Sequence, residues 1–316
     1  MKIVVLDGYA ADPGDISWDG IAGLGDLTVH DRTPADLIIE RSEGAEVLLT
    51  NKTPITAETI SRLPDLKYIG VLATGYNVVD LQAAKEQGIV VTNVPAYSTA
   101  SVAELVFAFL LELCRHVQVH TDVVRAGGWA TSIDFAFWKT PQIELAGKTM
   151  GIIGFGQIGR QVGRIASALD MRILAASTRR LNAPDYPFEW ADIPDILSRS
   201  DVVTIHAPLT PETQGLINRD ALARMKPTAF LINTSRGPVV VEQDLADALN
   251  DGTIAGAGLD VLSKEPPNAD NPLFTAKNCL FTPHIGWATS EARLRLMHVA
   301  AANLRRWMAG TPVNVV

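Results

Sequence analysis

Short runs of Val, Ile and Leu recur along this chain, separated by amphipathic stretches, and the two alternate from the first residues. Residues 2–6, 27–30, 47–50, 68–72 and 90–92 predict short buried strands, and residues 56–62 and 80–87 predict helices between them. Strands this apolar, alternating with helices, indicate a parallel sheet covered on both faces. After a break at Asn93-Val-Pro-Ala-Tyr-Ser98, one long helix is expected over residues 101–126, stopped by Gly127 and Gly128. An irregular aromatic segment, residues 129–141 with Phe135, Phe137 and Trp138, follows. A second alternating series then predicts strands at 149–153, 172–176, 202–206, 229–233, 256–260 and 279–282. Six strands separated by helices is the count of a complete dinucleotide-binding fold. The last helix, residues 290–308, has no strand to follow and is expected to return to the first series. Two α/β domains result: a discontinuous one, 1–97 with 288–316, and one inserted into it, 98–287. Two chain crossings make a hinge and a cleft, where ligands are usually held.

Gly154-Phe-Gly156-Gln157-Ile158-Gly159 sits between the strand 149–153 and an amphipathic helix predicted over 160–169. In a strand–turn–helix, these glycines have separate tasks. Gly154 turns the backbone off the strand, Gly156 lets a pyrophosphate approach, and Gly159 lets the helix pack closely. Gln157 and Ile158 complete the phosphate turn at the helix N-terminus. This marks the inserted domain as a Rossmann-type cofactor domain. No such turn follows the first strand, so the outer domain, flavodoxin-like, is expected to serve the substrate.

Composition adds bounds. The 316 residues are 47% apolar and 20% charged, ordinary for a water-soluble fold, and the net charge of −8 with no basic stripe argues against nucleic acid. Cys114 and Cys279 lie in apolar surroundings without metal or redox spacing, so core positions and a reducing cytoplasm are expected. The first residues read as a core strand and not as a signal peptide, and no apolar run is long enough to span a bilayer. Metal binding is not expected. His116 and His120 are four apart without a third ligand, and His30 and His298 have no partner pattern. Glu104, on an apolar helix, reads as a buried structural carboxylate, and His206 as a wall residue at a strand end.

Three further motifs stand at strand ends. Where NAD enzymes carry a carboxylate for the ribose, this chain has Ser177-Thr178-Arg179-Arg180. Hydroxyls and guanidinium would accept a 2′-phosphate, so NADP(H) is expected to be preferred, with NAD(H) possible. Asn233-Thr234-Ser235-Arg236-Gly237 places a guanidinium at a strand end, suited to gripping a carboxylate with two parallel hydrogen bonds. Asp260 with Glu265, and Pro283-His284-Ile-Gly286, put acids and an imidazole together. A carboxylate beside a histidine favours its protonated form, the proton donor that hydride delivery to a ketone needs.

Gly154-x-Gly-x-x-Gly159, Asn233-x-x-Arg236-Gly, Asp260-x-x-x-x-Glu265-Pro and Pro283-His284-x-Gly together resemble the D-isomer-specific 2-hydroxyacid dehydrogenases, through essentially the whole chain. Gly75-Tyr-Asn-Val-Val-Asp80 and Ser98-Thr-Ala-Ser-Val-Ala-Glu104 are similar to family motifs as well. The resemblance implies that Arg236 binds and polarises a 2-oxo acid, that His284 is the acid/base, and that Glu265 pairs with it. It implies that Asp260 meets the nicotinamide carboxamide and that backbone N–H groups around Thr74 and Gly75 hold the substrate carboxylate. It places Thr99, Pro208, Thr213, Thr234, Ser235 and Gly286 along the cofactor, and implies a homodimer joined through the cofactor domains. Residues 135–141 and 144–149 look most like bacterial glycerate dehydrogenases, also called hydroxypyruvate reductases. Trp138 is then the candidate aromatic to reach a partner's active site, or to lie in the dimer interface. Other 2-oxo acid reductases of the family, and nucleotide-sensing corepressors within it, are the alternatives.

Overall fold

The computed structural model describes residues 1–179 and 183–316, which divide into two units: Met1–Ser98 with Trp287–Val316, and Thr99–Gly286. The first unit holds strands β1 (Lys2–Val5), β2 (Asp26–Val29), β3 (Val47–Thr50), β4 (Tyr68–Val71) and β5 (Val90–Thr92) in the order β2-β1-β3-β4-β5, all parallel. This is the flavodoxin-like order. β3 and β4 are buried along their whole length, which is why they read as unbroken apolar runs. Thr56 and Asp80 start the helices Ala57–Ser61 and Leu81–Glu86 by accepting from the Thr59 and Ala83 amides. The helix Ser290–Met308 belongs to this unit. Its stripe Ala292, Leu296, Ala300 and Leu304, four residues apart, packs on Ile3, Val5, Leu49 and Tyr68.

The second unit holds β6 (Thr149–Ile153), β7 (Arg172–Ala176), β8 (Glu189–Trp190), β9 (Val202–Ile205), β10 (Phe230–Asn233), β11 (Gly256–Leu259) and β12 (Cys279–Phe281). Their order is β12-β11-β10-β9-β6-β7-β8, again fully parallel. The direction of winding reverses between β6 and β9, so the carboxyl ends of these two strands open the crevice where such sheets bind ligands. One core lies on each sheet face. Leu231, Val203 and Leu245 represent one; Ile152, Phe109 and Val162 represent the other.

Three expectations need correction. The stretch 101–126 is two helices, Thr99–Arg115 and Val117–Arg125, because His116 adopts a left-handed φ of +46°. The Glu112 carboxylate makes the break tolerable by accepting from the Val117 and Gln118 amides at 3.2 and 3.4 Å, capping the second helix. Among the described residues the second sheet has seven strands and not six, since β8 is only two residues long and too short to leave a pattern. Glu104 is exposed, on the side of its helix turned away from the sheet that Ala103 and Val106 face.

Candidate active site

The glycine turn begins where β6 ends. Gly154 sits at φ +95°, and a Cβ there would lie 2.5 Å from the Ala207 amide nitrogen. A Cβ on Gly159 would lie 2.2 Å from the Gly154 carbonyl oxygen, whereas one on Gly156 would meet nothing within 4 Å. Turn, close packing and open approach thus fall on separate glycines. Gly156 precedes the helix Gln157–Ala168 without any side-chain cap, so the N–H groups of its first turn suit a phosphate. Phe155 anchors the turn from behind, stacked on Phe188 at 5.0 Å and meeting the edge of Trp190 at 5.6 Å.

Beside it, β7 ends at Ala176. The Ser177 hydroxyl donates to the Arg179 carbonyl at 3.0 Å and accepts from its amide at 3.3 Å, closing a tight turn. Thr178 and Arg179 are exposed, and the Arg179 guanidinium has no ion-pair partner among the described residues; Arg180 lies outside them. After β9, Thr213 donates to the Pro208 carbonyl at 2.6 Å and shapes the loop 208–213. His206 lies 2.9 Å from the Thr204 hydroxyl, and burial holds its imidazole well below the ordinary value of 6.5.

The end of β10 is built by Asn233, a residue whose role the motif alone did not reveal. Its side-chain oxygen accepts from the Ser235 amide at 3.0 Å and hydroxyl at 2.9 Å, and its nitrogen donates to the Arg236 carbonyl at 2.9 Å. An Asn at a strand end bonding two residues on is a recognisable turn signal. The turn delivers Arg236 to the surface, bonded to the Ser235 carbonyl at 2.7 Å and in no ion pair among the described residues. Gly237 seats this turn on the next loop, since a Cβ there would lie 1.9 Å from the Leu262 carbonyl carbon. Thr234 carries a buried hydroxyl with no partner among the described residues.

Beyond β11, Asp260 is 2% exposed. Its carboxylate accepts from the Thr282 hydroxyl at 2.5 Å and from the Ile285 and Gly286 amides, each at 2.8 Å. Burial raises its carboxyl above 3.8 against the pull of these bonds. The same three partners bracket His284, which sits at φ +55° with its amide on the Asp260 carbonyl at 2.8 Å. The His284 Nδ1 then lies 2.6 Å from Glu265 Oε2, while Glu265 Oε1 accepts from the Leu262 amide at 3.1 Å. Arg236, Glu265 and His284 therefore follow three neighbouring strands, β10, β11 and β12.

In the first unit, Thr74 is exposed just past β4, and Gly75 follows it half-buried. Thr99 opens the first helix of the second unit. Trp138 is 71% exposed, in a segment where Trp129, Ile133 and Phe135 are also exposed. His120, which had no evident partner in the sequence, ties this segment down by accepting from the Lys139 amide at 3.1 Å. Cys114 is buried and Cys279 half-buried, both as free thiols pushed up by burial. Among the described residues no group of three metal-binding side chains occurs, and no helix is long and apolar enough to cross a membrane.

The open cradle at Gly156 and the orphaned Thr234 hydroxyl fit a nicotinamide dinucleotide laid along the carboxyl edge of the sheet. A family model for the NAD-binding domain of D-isomer-specific 2-hydroxyacid dehydrogenases matches residues 107–286. A hydroxypyruvate reductase of Blautia hydrogenotrophica is 50% identical over 320 residues, which span 100% of this chain and 99% of that protein. A glycerate dehydrogenase of Methylorubrum extorquens is 43% identical over 287 residues, 90% of this chain and 89% of that protein. A solved structure of an acyclic imino acid reductase in complex with NADPH and D-Arg superposes with a TM-score of 0.86 at 33% identity, over 100% of both chains. The chain belongs to the D-isomer-specific 2-hydroxyacid dehydrogenase family.

Proposed function

We propose that this enzyme reduces hydroxypyruvate, and glyoxylate after it, to the D-2-hydroxy acid, with NADPH preferred over NADH. The carrying observation is the His284–Glu265 pair at 2.6 Å, on the strand end next but one to Arg236, which is in no ion pair among the described residues. Residues 154–159 and Thr234 would hold the cofactor, which when bound would supply the hydride. Arg236 grips the oxo acid and polarises its carbonyl, and the N–H groups around Thr74 and Gly75 take the carboxylate. His284 donates its proton to the oxygen as negative charge develops there, and Glu265 keeps the ring oriented. Asp260 and Gly286 meet the nicotinamide end.

The substrate choice rests on likeness to the hydroxypyruvate reductase and glycerate dehydrogenase above. The cofactor choice rests on the missing carboxylate at Ser177 and on the exposed Arg179, which has no ion-pair partner among the described residues. The likeness to a protein solved with NADPH agrees with it. The exposed apolar side chains around Phe135 and Trp138 suit burial in a homodimer through the cofactor unit. A spectrophotometric screen of small 2-oxo acids with NADPH and NADH in parallel tests this reading. Hydroxypyruvate with NADPH is expected to give the highest kcat/KM. A clear NADH preference overturns the cofactor choice, and failure to turn over any 2-oxo acid overturns the activity.

A further inference from the structure

A relay of three asparagine amides, buried at Asn93 and Asn303 and exposed at Asn314, runs through the first unit and ends on Thr74. Asn303, 1% exposed on the helix Ser290–Met308, donates to the Asn93 carbonyl at 2.9 Å and accepts from the Asn314 side chain at 2.8 Å. Asn314 also receives the Asn93 amide on its own carbonyl at 3.1 Å, so it grips Asn93 directly and through Asn303. Asn314 reaches both partners because it turns at φ +53°, and Val315 and Val316 then bond to the free edge of β5 at Thr92 and Val91. Asn93, itself 8% exposed, donates its side-chain amide to the Thr74 carbonyl at 2.8 Å. The Thr74 hydroxyl completes the frame by donating to the Val94 carbonyl at 3.0 Å.

We propose that Asn93, Asn303 and Asn314 are positioning residues that aim the backbone N–H groups of the Thr74–Gly75 turn at the substrate carboxylate. Nothing in the packing of β4 and β5 demands amides here: apolar side chains fill neighbouring positions such as Leu72, Val94 and Leu304. Amides earn no hydrophobic stabilisation here, but bonded to one another and to the backbone they fix one backbone geometry. Fixing the peptide between residues 74 and 75 by its carbonyl also fixes the direction of the Gly75 N–H, because the peptide unit is planar. The proposal rests on the reading of Thr74 and Gly75 as the carboxylate site.

Steady-state kinetics with hydroxypyruvate on three variants of the full chain test it. Asn93→Ala removes the last link. Asn314→Gly keeps the left-handed turn and the main-chain acceptor but removes the outer amide, and serves where Asn93→Ala does not fold. Gly75→Pro removes the N–H itself. The expected result is a rise in KM for hydroxypyruvate of about tenfold in Asn93→Ala and about threefold in Asn314→Gly, with kcat and the NADPH Kd within twofold of the parent. A raised KM in Gly75→Pro with an unchanged KM in the two asparagine variants overturns the relay and leaves the carboxylate site standing. An unchanged KM in Gly75→Pro overturns the carboxylate site, and the relay with it. Loss of kcat and NADPH affinity along with KM would show a general structural role and likewise overturn the proposal.

Discussion

The Asp260 carboxylate and the Gly286 amide are 2.8 Å apart, and a Cβ on Gly286 would lie 2.9 Å from the same oxygen. The carboxylate thus reaches round His284 and holds the loop by its far side. Replacing it by an amide turns one acceptor into a donor facing an N–H or a hydroxyl, which leaves buried groups unpaired at a cost of about 1–3 kcal/mol. Asp260→Asn is expected to lower Tm and to reduce kcat about tenfold or more, since His284 is no longer held in its left-handed conformation. Thermal unfolding and steady-state rates check both. An unchanged kcat would mean that His284 finds its place without Asp260.

His284 and Glu265 carry the next prediction. His284→Ala removes the proton donor and is expected to reduce kcat by roughly 10²–10⁴-fold while the NADPH Kd stays within about threefold. Glu265→Gln keeps a hydrogen-bonding group of the same length but not its charge, so the expected loss is smaller, near the lower end of that range. Fluorescence titration of NADPH beside turnover measurements separates chemistry from cofactor binding. A full-rate His284→Ala enzyme would remove His284 from its role.

These two sites show what could be read without coordinates. Gly154, Gly156 and Gly159 were legible because each does its work through its own missing side chain, at a spacing set by a strand–turn–helix. Arg236, Glu265 and His284 were legible as residue types at strand ends. The supports were not. Asp260 accepts from residues 22, 25 and 26 positions away, and such pairing leaves no periodic trace. The break at His116 was hidden because Arg115 and Val117 continue the helical pattern while one residue in left-handed conformation and a cap from Glu112 interrupt the axis. β8 is two residues long, and Trp190 there looks like any isolated aromatic until Phe155 and Phe188 are seen to surround it.

His206 gives a pH dependence to stability. Burial holds its folded imidazole well below 6.5, while an unfolded chain takes up the proton as pH falls through about 6.5. Between those two values the unfolded state binds more protons, so stability falls as pH drops below about 6.5, and above pH ~7.5 the effect vanishes. At pH 5.5 it amounts to at most about 1.4 kcal/mol. Urea unfolding at pH 7.5 and 5.5 should therefore show a smaller acid loss in His206→Gln than in the parent chain. Equal losses would mean that His206 is as accessible to protons folded as unfolded.

Ser177 should decide between the two cofactors. It follows β7, beside the glycine turn, and among the described residues its hydroxyl bonds within its own turn to Arg179. Ser177→Asp would put a carboxylate at this strand end, able to accept two hydrogen bonds from ribose hydroxyls and bound to repel a 2′-phosphate. The ratio of kcat/KM for NADPH to that for NADH is expected to fall at least about a hundredfold, with roughly equal parts from lost NADPH affinity and gained NADH affinity. Arg179→Ala removes the attractive half alone, so it should weaken NADPH by about tenfold and leave NADH nearly unchanged. Parallel titrations of both nucleotides into the two variants resolve these contributions. If Arg179→Ala weakened both nucleotides alike, the guanidinium would be serving the shared part of the cofactor and not the phosphate that distinguishes them.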